Sequence, residues 1–237
     1  MIRPVLRRAV FLLVLVAFAA GGVTIALARS SRSSTPITKA KAEAFARAVN
    51  LRASDLPGAT ALRGAIFGPE AVQYKALKCG LLGRPGIAPV GGGELWLANS
   101  RVQVGSIVVV APSDYFAEAE IAGLESQGGR TCLARALGRA LSFERHHKTE
   151  WSHTVKVAVV PIGEHVSGVH LAIHVLAELP PIEGAKPEKR YINVDAAFFR
   201  VGPADVAFFA LGATRFPAAT EIQLLALLHS RAEANKL

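Results

Sequence analysis

Residues 169–175 read VHLAIHV, and residues 192–198 read INVDAAF. In the first, Val169, Leu171, Ile173 and Val175 alternate with His170, Ala172 and His174. In the second, Ile192, Val194, Ala196 and Phe198 alternate with Asn193, Asp195 and Ala197. Successive side chains of a strand point to opposite faces, so a period of two marks a sheet packed on one side. This pattern predicts that Val169, Leu171, Ile173 and Val175 face the core under helices. If the two strands pair, His170, His174, Asn193 and Asp195 share the opposite face. That polar face is the expected docking surface for a ligand or partner, and an ordinary solvated sheet face is the plain alternative. Strand order stays open, because the connection 178–190 is long for a hairpin and contains Pro180-Pro181.

Working outward, Val155, Val157 and Val159 alternate with Lys156 and Ala158 in a preceding strand. Gly202-Pro203 turns the chain into 206–211, which is apolar on both faces and is expected to be a central strand. Pro217 opens a last helix with Ile222, Leu225 and Leu228 on one face. Upstream, 94–98 and 101–111 read as strands. A helix over 114–126 follows Ser113, and Gln127-Gly128-Gly129 is expected to stop it. A further helix is predicted over 131–143, then a polar loop over 142–153.

The body begins with a helix started by Thr35 as cap and Pro36 as first residue, with Ile37, Ala40, Ala44, Phe45, Ala48 and Val49 on one face and Asn50 at its end. Residues 51–58 close with turn chemistry at Asp55 and Pro57-Gly58. Residues 59–93 are the least regular, with a short helix predicted over 71–77. Gly91-Gly92-Gly93 lacks the spacing of a phosphate-binding loop and reads as surface loop. Helices flank a run of sequential strands, so the class is α+β, with one antiparallel sheet packed by helices over 36–237.

Residues 9–28 are uncharged and follow Arg3, Arg7 and Arg8. They are long enough to span a bilayer core of ~30 Å. They also fit a secretory leader, because Ala26-Leu27-Ala28 is a cleavage signature before Arg29. Cleavage after Ala28 and retention as a membrane anchor are both open, and 29–35 is a polar linker. Either way the rest of the chain is expected outside the cytoplasm, since the arginines stay inside.

The chain has 237 residues and a formal charge of +9, to which the leader contributes three arginines. No Lys/Arg block and no recognised motif points to nucleic acid as a partner. Cys79 and Cys132 are the two cysteines. In an exported protein an even count reads as a disulfide, and the absence of C-x-x-C argues against a redox or metal pair.

Three segments carry a resemblance. They are VNLRASDLPG at 49–58, GGRTCLARAL at 128–137, and FFRVGPADVAFFALGATRFPAATEIQLLALLHSR at 198–231. Together they resemble the sensor-like ectodomains of actinobacterial receptor kinases and related exported proteins of the PsbP/Mog1-like α-β-α type. The resemblance implies that fold and a sensor- or ligand-binding role, and no individual functional residue. Ectodomains of that group carry more than one disulfide, whereas this chain can form one, and it has no kinase domain.

No motif for catalysis stands out. There is no G-x-S-x-G and no H-E-x-x-H, and the acids show no telling spacing. His170 and His174 would lie ~13 Å apart along a strand. That is too far to share one metal, with Zn–N bonds of ~2.0–2.1 Å. His146, His147, Glu150 and His153 crowd the 142–153 loop, where a solvated loop outweighs an adventitious metal site. No catalytic residue, metal or cofactor is expected. Two functions remain: a non-enzymatic envelope domain that binds a ligand or protein partner, and an exported hydrolase whose site is assembled from distant residues.

Overall fold

The computed structural model describes residues 37–61, 88–91, 95–99, 101–111, 113–132, 152–160, 168–179, 188–235 and 237. The first helix, α1, spans Lys39–Val49. Thr38 is its cap, in extended backbone, and its hydroxyl accepts the Lys41 N–H at 3.3 Å. The expected start at Thr35-Pro36 lies outside the described residues, so the cap is three residues later than predicted. Asn50 ends the helix as expected, its N–H donating to Ala46 O at 3.0 Å. The buried stripe is Ala42, Phe45, Ala46 and Val49, at helical spacing. Ala40 and Ala44, expected on that face, are exposed.

Among the described residues, eight strands form one antiparallel sheet: β1 Ala59–Ala61, β2 Ala88–Gly91, β3 Leu95–Leu97, β4 Val102–Val110, β5 Ser152–Val160, β6 Gly168–Leu179, β7 Glu188–Val201 and β8 Ala204–Gly212. Their order is β1-β3-β4-β8-β7-β6-β5, with β2 also on β4. β8 is central and wholly buried, as its apolar run on both faces predicts. β6 and β7 do pair, with His174 opposite Asn193 and Ala172 opposite Asp195. β1 and β2 were not expected. Three residues are too few to show a period, and Pro89 argues against a strand. Here Pro89 lies opposite Val109 in a short segment along the edge of β4, where proline is tolerated. One edge of β4 is thus shared by β3 and β2, and β8 takes the other.

Helix α2 spans Asp114–Glu125, and helix α3 spans Ala218–Asn235. The chain returns to helical form directly after α2. Ser126 breaks it for one residue, and 127–132 are helical again. The Ser126 hydroxyl donates to Gly123 O at 2.7 Å and accepts the Gly129 N–H at 2.9 Å. Gln127-Gly128-Gly129 therefore opens a helix instead of ending one, because one serine side chain serves both ends. The rest of the helix predicted over 131–143 lies outside the described residues.

The alternation of the strands divides the sheet into two packed faces. On one, Phe45 and Val49 of α1 and Leu225 and Leu228 of α3 join Val104, Val108, Phe199 and Phe208. On the other, Val194, Ala196, Phe198, Ala207 and Phe209 are buried. There Arg200 of β7 donates to Asp114 O at 3.1 Å and pairs with Glu118 of α2 at 3.4 Å. The Phe209 ring covers Gly105 so closely that a Cβ would collide with it. The fold is α+β, with helices on both faces of an antiparallel sheet.

Two polar fastenings hold α1 in place. The buried Ser106 hydroxyl donates to Asn50 Oδ1 at 2.8 Å and accepts the Leu51 N–H at 2.9 Å. Arg231 of α3 grips Asp55 with two hydrogen bonds, of 2.8 and 2.7 Å, and donates to Asn50 O at 3.3 Å. Burial pushes the Asp55 carboxyl up, but Arg231 and the Arg52 N–H outweigh it and hold it below its ordinary range.

Candidate functional site

The pairing of β6 and β7 places His170, Ala172 and His174 on one face with Asn193 and Asp195, as the period of two predicts. What covers that face differs from the expectation. Ala172 and Asp195 are buried, and Glu221 in the first turn of α3 comes against His170 and near Asp195. Glu221 Oε1 stands 2.9 Å from His170 Nε2, with side chains 6% and 12% exposed. The pair is close but off the line that a hydrogen bond needs, so it counts as charge pairing that is complete when the imidazole is protonated. Helices were expected over Val169, Leu171, Ile173 and Val175, whose side chains lie outside the described ones. The helix over the histidine face is a correction to that picture. Its physical reason is that α3 brings its own acid, so His170 can be covered without losing a charged partner.

Asp195 belongs to the same buried group. Burial, then the nearby Glu221 charge, push its carboxyl above its ordinary value. His170, the Phe216 N–H donated to it, and Arg215 act the other way and do not cancel the rise. The face therefore has a closed end, built from His170, Asp195 and Glu221 and sealed by α3.

Its other end is open. His174 is half-buried, and its Nδ1 lies 2.9 Å from Asn193 Oδ1. Asn193 Nδ2 donates to Ala213 O at 2.9 Å, which fixes its oxygen toward the histidine. Arg215 Nη2 lies 3.0 Å from His174 Nε2. A guanidinium can only donate, so Nε2 accepts and the proton sits on Nδ1, donated to Asn193. His174 in this chain is a neutral relay between a backbone carbonyl and an exposed arginine. Tyr191, two residues from Asn193 on the same strand face, is 63% exposed.

Sequence reasoning placed His170, His174, Asn193 and Asp195 together and missed Glu221 and Arg215. Glu221 had a signal. It is buried in line with Leu225, Leu228 and Ala232, an acid on an apolar stripe. Ile222, expected on the buried face, is 55% exposed. Arg215 had none, since it sits in the irregular link between β8 and α3, where no period exists. Among the described residues no cluster suited to a metal ion occurs and no cysteine is free. Cys79, the leader 9–28, and His146, His147 and Glu150 lie outside the described residues. No described helix is long and apolar enough to cross a membrane.

No family model matches the chain, and no curated protein matches it. Among solved structures it is similar to the extracellular domain of PknH from Mycobacterium tuberculosis, with 13% identity, 84% of this chain and 98% of that one covered, and a TM-score of 0.36. The neighbour is of the kind that the sequence resemblance named. At that score the likeness carries no argument about fold or function, which rest on the residues themselves.

Proposed function

We propose that the chain is a non-enzymatic, extracytoplasmic, sensor-like domain that binds a ligand or partner on the open end of the β6–β7 face. The observation that carries this reading is the relay from Ala213 O through Asn193 and His174 to Arg215, which holds polar side chains in fixed orientation at the surface. Fixed polar groups on rigid strands suit recognition, because little side-chain freedom is left to lose on binding. His170 and Asp195 support the site from below. Asp195 is buried and His170 is largely covered beside Glu221, which favours a supporting role for both. The location outside the cytoplasm rests on the apolar segment 9–28 and its preceding arginines. A disulfide between Cys79 and Cys132 belongs to the same proposal.

The test is a ligand-observed NMR screen of small metabolites against the full chain. A binder is expected whose signal change is lost in His174→Ala, while circular dichroism shows the fold kept. A screen in which every binder is indifferent to His174→Ala removes this face from the proposal.

A further inference from the structure

The arginines of the described residues differ in what neutralises them. Arg231 grips Asp55, Arg200 pairs with Glu118, and Arg47 pairs with Glu43. Arg215 is exposed, and among the described residues no carboxylate lies within ion-pair distance of it. Its partner is the lone pair of a neutral imidazole. That contact orients the guanidinium without discharging it. One N–H is committed to His174, and the remaining donors of the fork stay available. A planar fork held this way matches the two oxygens of a carboxylate or the oxygens of a phosphate.

Tyr191 adds a second contact. It is the register partner of Leu176, next along β6 from His174 on the same face. Diagonal neighbours of paired strands lie ~7–8 Å apart, within reach of one small molecule. The exposed ring therefore offers an apolar surface beside the cation. Asp195, whose carboxyl feels the Arg215 charge, and Glu221 are both buried at the closed end of the face. The open end thus presents the Arg215 guanidinium fork and the Tyr191 ring.

We infer that this end of the face binds an organic oxyanion, with Arg215 holding the carboxylate or phosphate and Tyr191 covering the apolar part. This rests on the proposed binding role and names the class of ligand. His174 and Asn193 are positioning residues, which act through Arg215.

The experiment is a titration of the full-length protein, followed by NMR at the Arg215 Nε–H and the Tyr191 ring. Benzoate, phenyl phosphate, acetate and the uncharged benzamide serve as probes. Benzoate and phenyl phosphate are expected to give saturable shifts at both residues, with acetate weaker by several-fold. The ratio of the two aromatic probes tells carboxylate from phosphate preference. Arg215→Ala should abolish the shifts, and Arg215→Lys should weaken them at least tenfold through loss of the fork. Asn193→Ala should weaken binding while leaving the probe rank unchanged. Benzamide binding as well as benzoate overturns the oxyanion assignment and leaves the docking face standing. No saturable shift from any probe overturns both. Shifts that survive Arg215→Ala mark an adventitious additive only, and overturn the inference.

Discussion

Asp195 shows how one buried acid makes itself felt in solution. Its carboxyl titrates above the ordinary value of 3.8, through burial and the Glu221 charge. Between that value and its raised one, the native state holds a proton that the unfolded chain has released. Stability contributed by this group is therefore fully present below pH 3.8 and falls as pH rises through the raised value. Asp195→Asn keeps an oxygen for the Phe216 N–H and removes the titration. The variant is expected to match or exceed the parent in stability at pH 7 and to lose this part of the slope. Urea unfolding at several pH values between 4 and 7 reads it directly. An unchanged slope would mean that Asp195 ionises freely in the fold.

Among the elements, the junction of α1 and α3 depends most on single polar contacts. Arg231 is 20% exposed and Asp55 is 7% exposed. Removing one partner of such a part-buried pair leaves a half-covered charge alone, at a cost of about 1–3 kcal/mol. Arg231→Ala should lose that much in denaturant unfolding, and Arg231→Lys should recover only part. Asp55 titrates below its ordinary value, so its contribution is full above pH 3.8 and fades as pH falls through its folded value. The parent should therefore lose stability in acid more steeply than Arg231→Ala does. Equal acid slopes would show that the grip does not form in solution.

The same scale shows what could be read from sequence. The long strands were legible because VHLAIHV and INVDAAF leave only one period. Helix phase was harder. Leu225 and Leu228 admit either Ile222 or Glu221 as the next member of the stripe, and hydrophobicity favours Ile222. The protein buries Glu221 because His170 lies beneath it, a partner from a strand some fifty residues earlier that no local window contains. In α1, Phe45 and Val49 fix the stripe only loosely, since alanines on either side weigh the same. The open end of the site was half legible: His174 and Asn193 follow from alternation, whereas Arg215 follows from where an irregular link happens to place it.

For the whole molecule, the expected location gives the most direct test. A fusion of residues 1–40 to a reporter active only outside the cytoplasm should be active. A silent reporter would remove the premise of an exported body. Under the same premise Cys79 and Cys132 are expected to be joined, and labelling of both thiols in the native oxidised protein would count against it.

Arg231 and Asp55 also set an order of events. They are 176 positions apart along the chain, and Ser106 stands 56 positions from its partner Asn50. Fastenings of such long reach close late, because the loop between them must be gathered first. The opening helix is fastened to β4 over the shorter reach and to the closing helix over the longer one. For a polypeptide that emerges amino end first, the apolar stripe of Ala42, Phe45, Ala46 and Val49 can meet β4 before the closing helix arrives to complete its cover. Folding is completed only when the two ends of the body meet, so a chain stalled before Arg231 keeps the Ser106 fastening of its first helix and lacks the grip on Asp55.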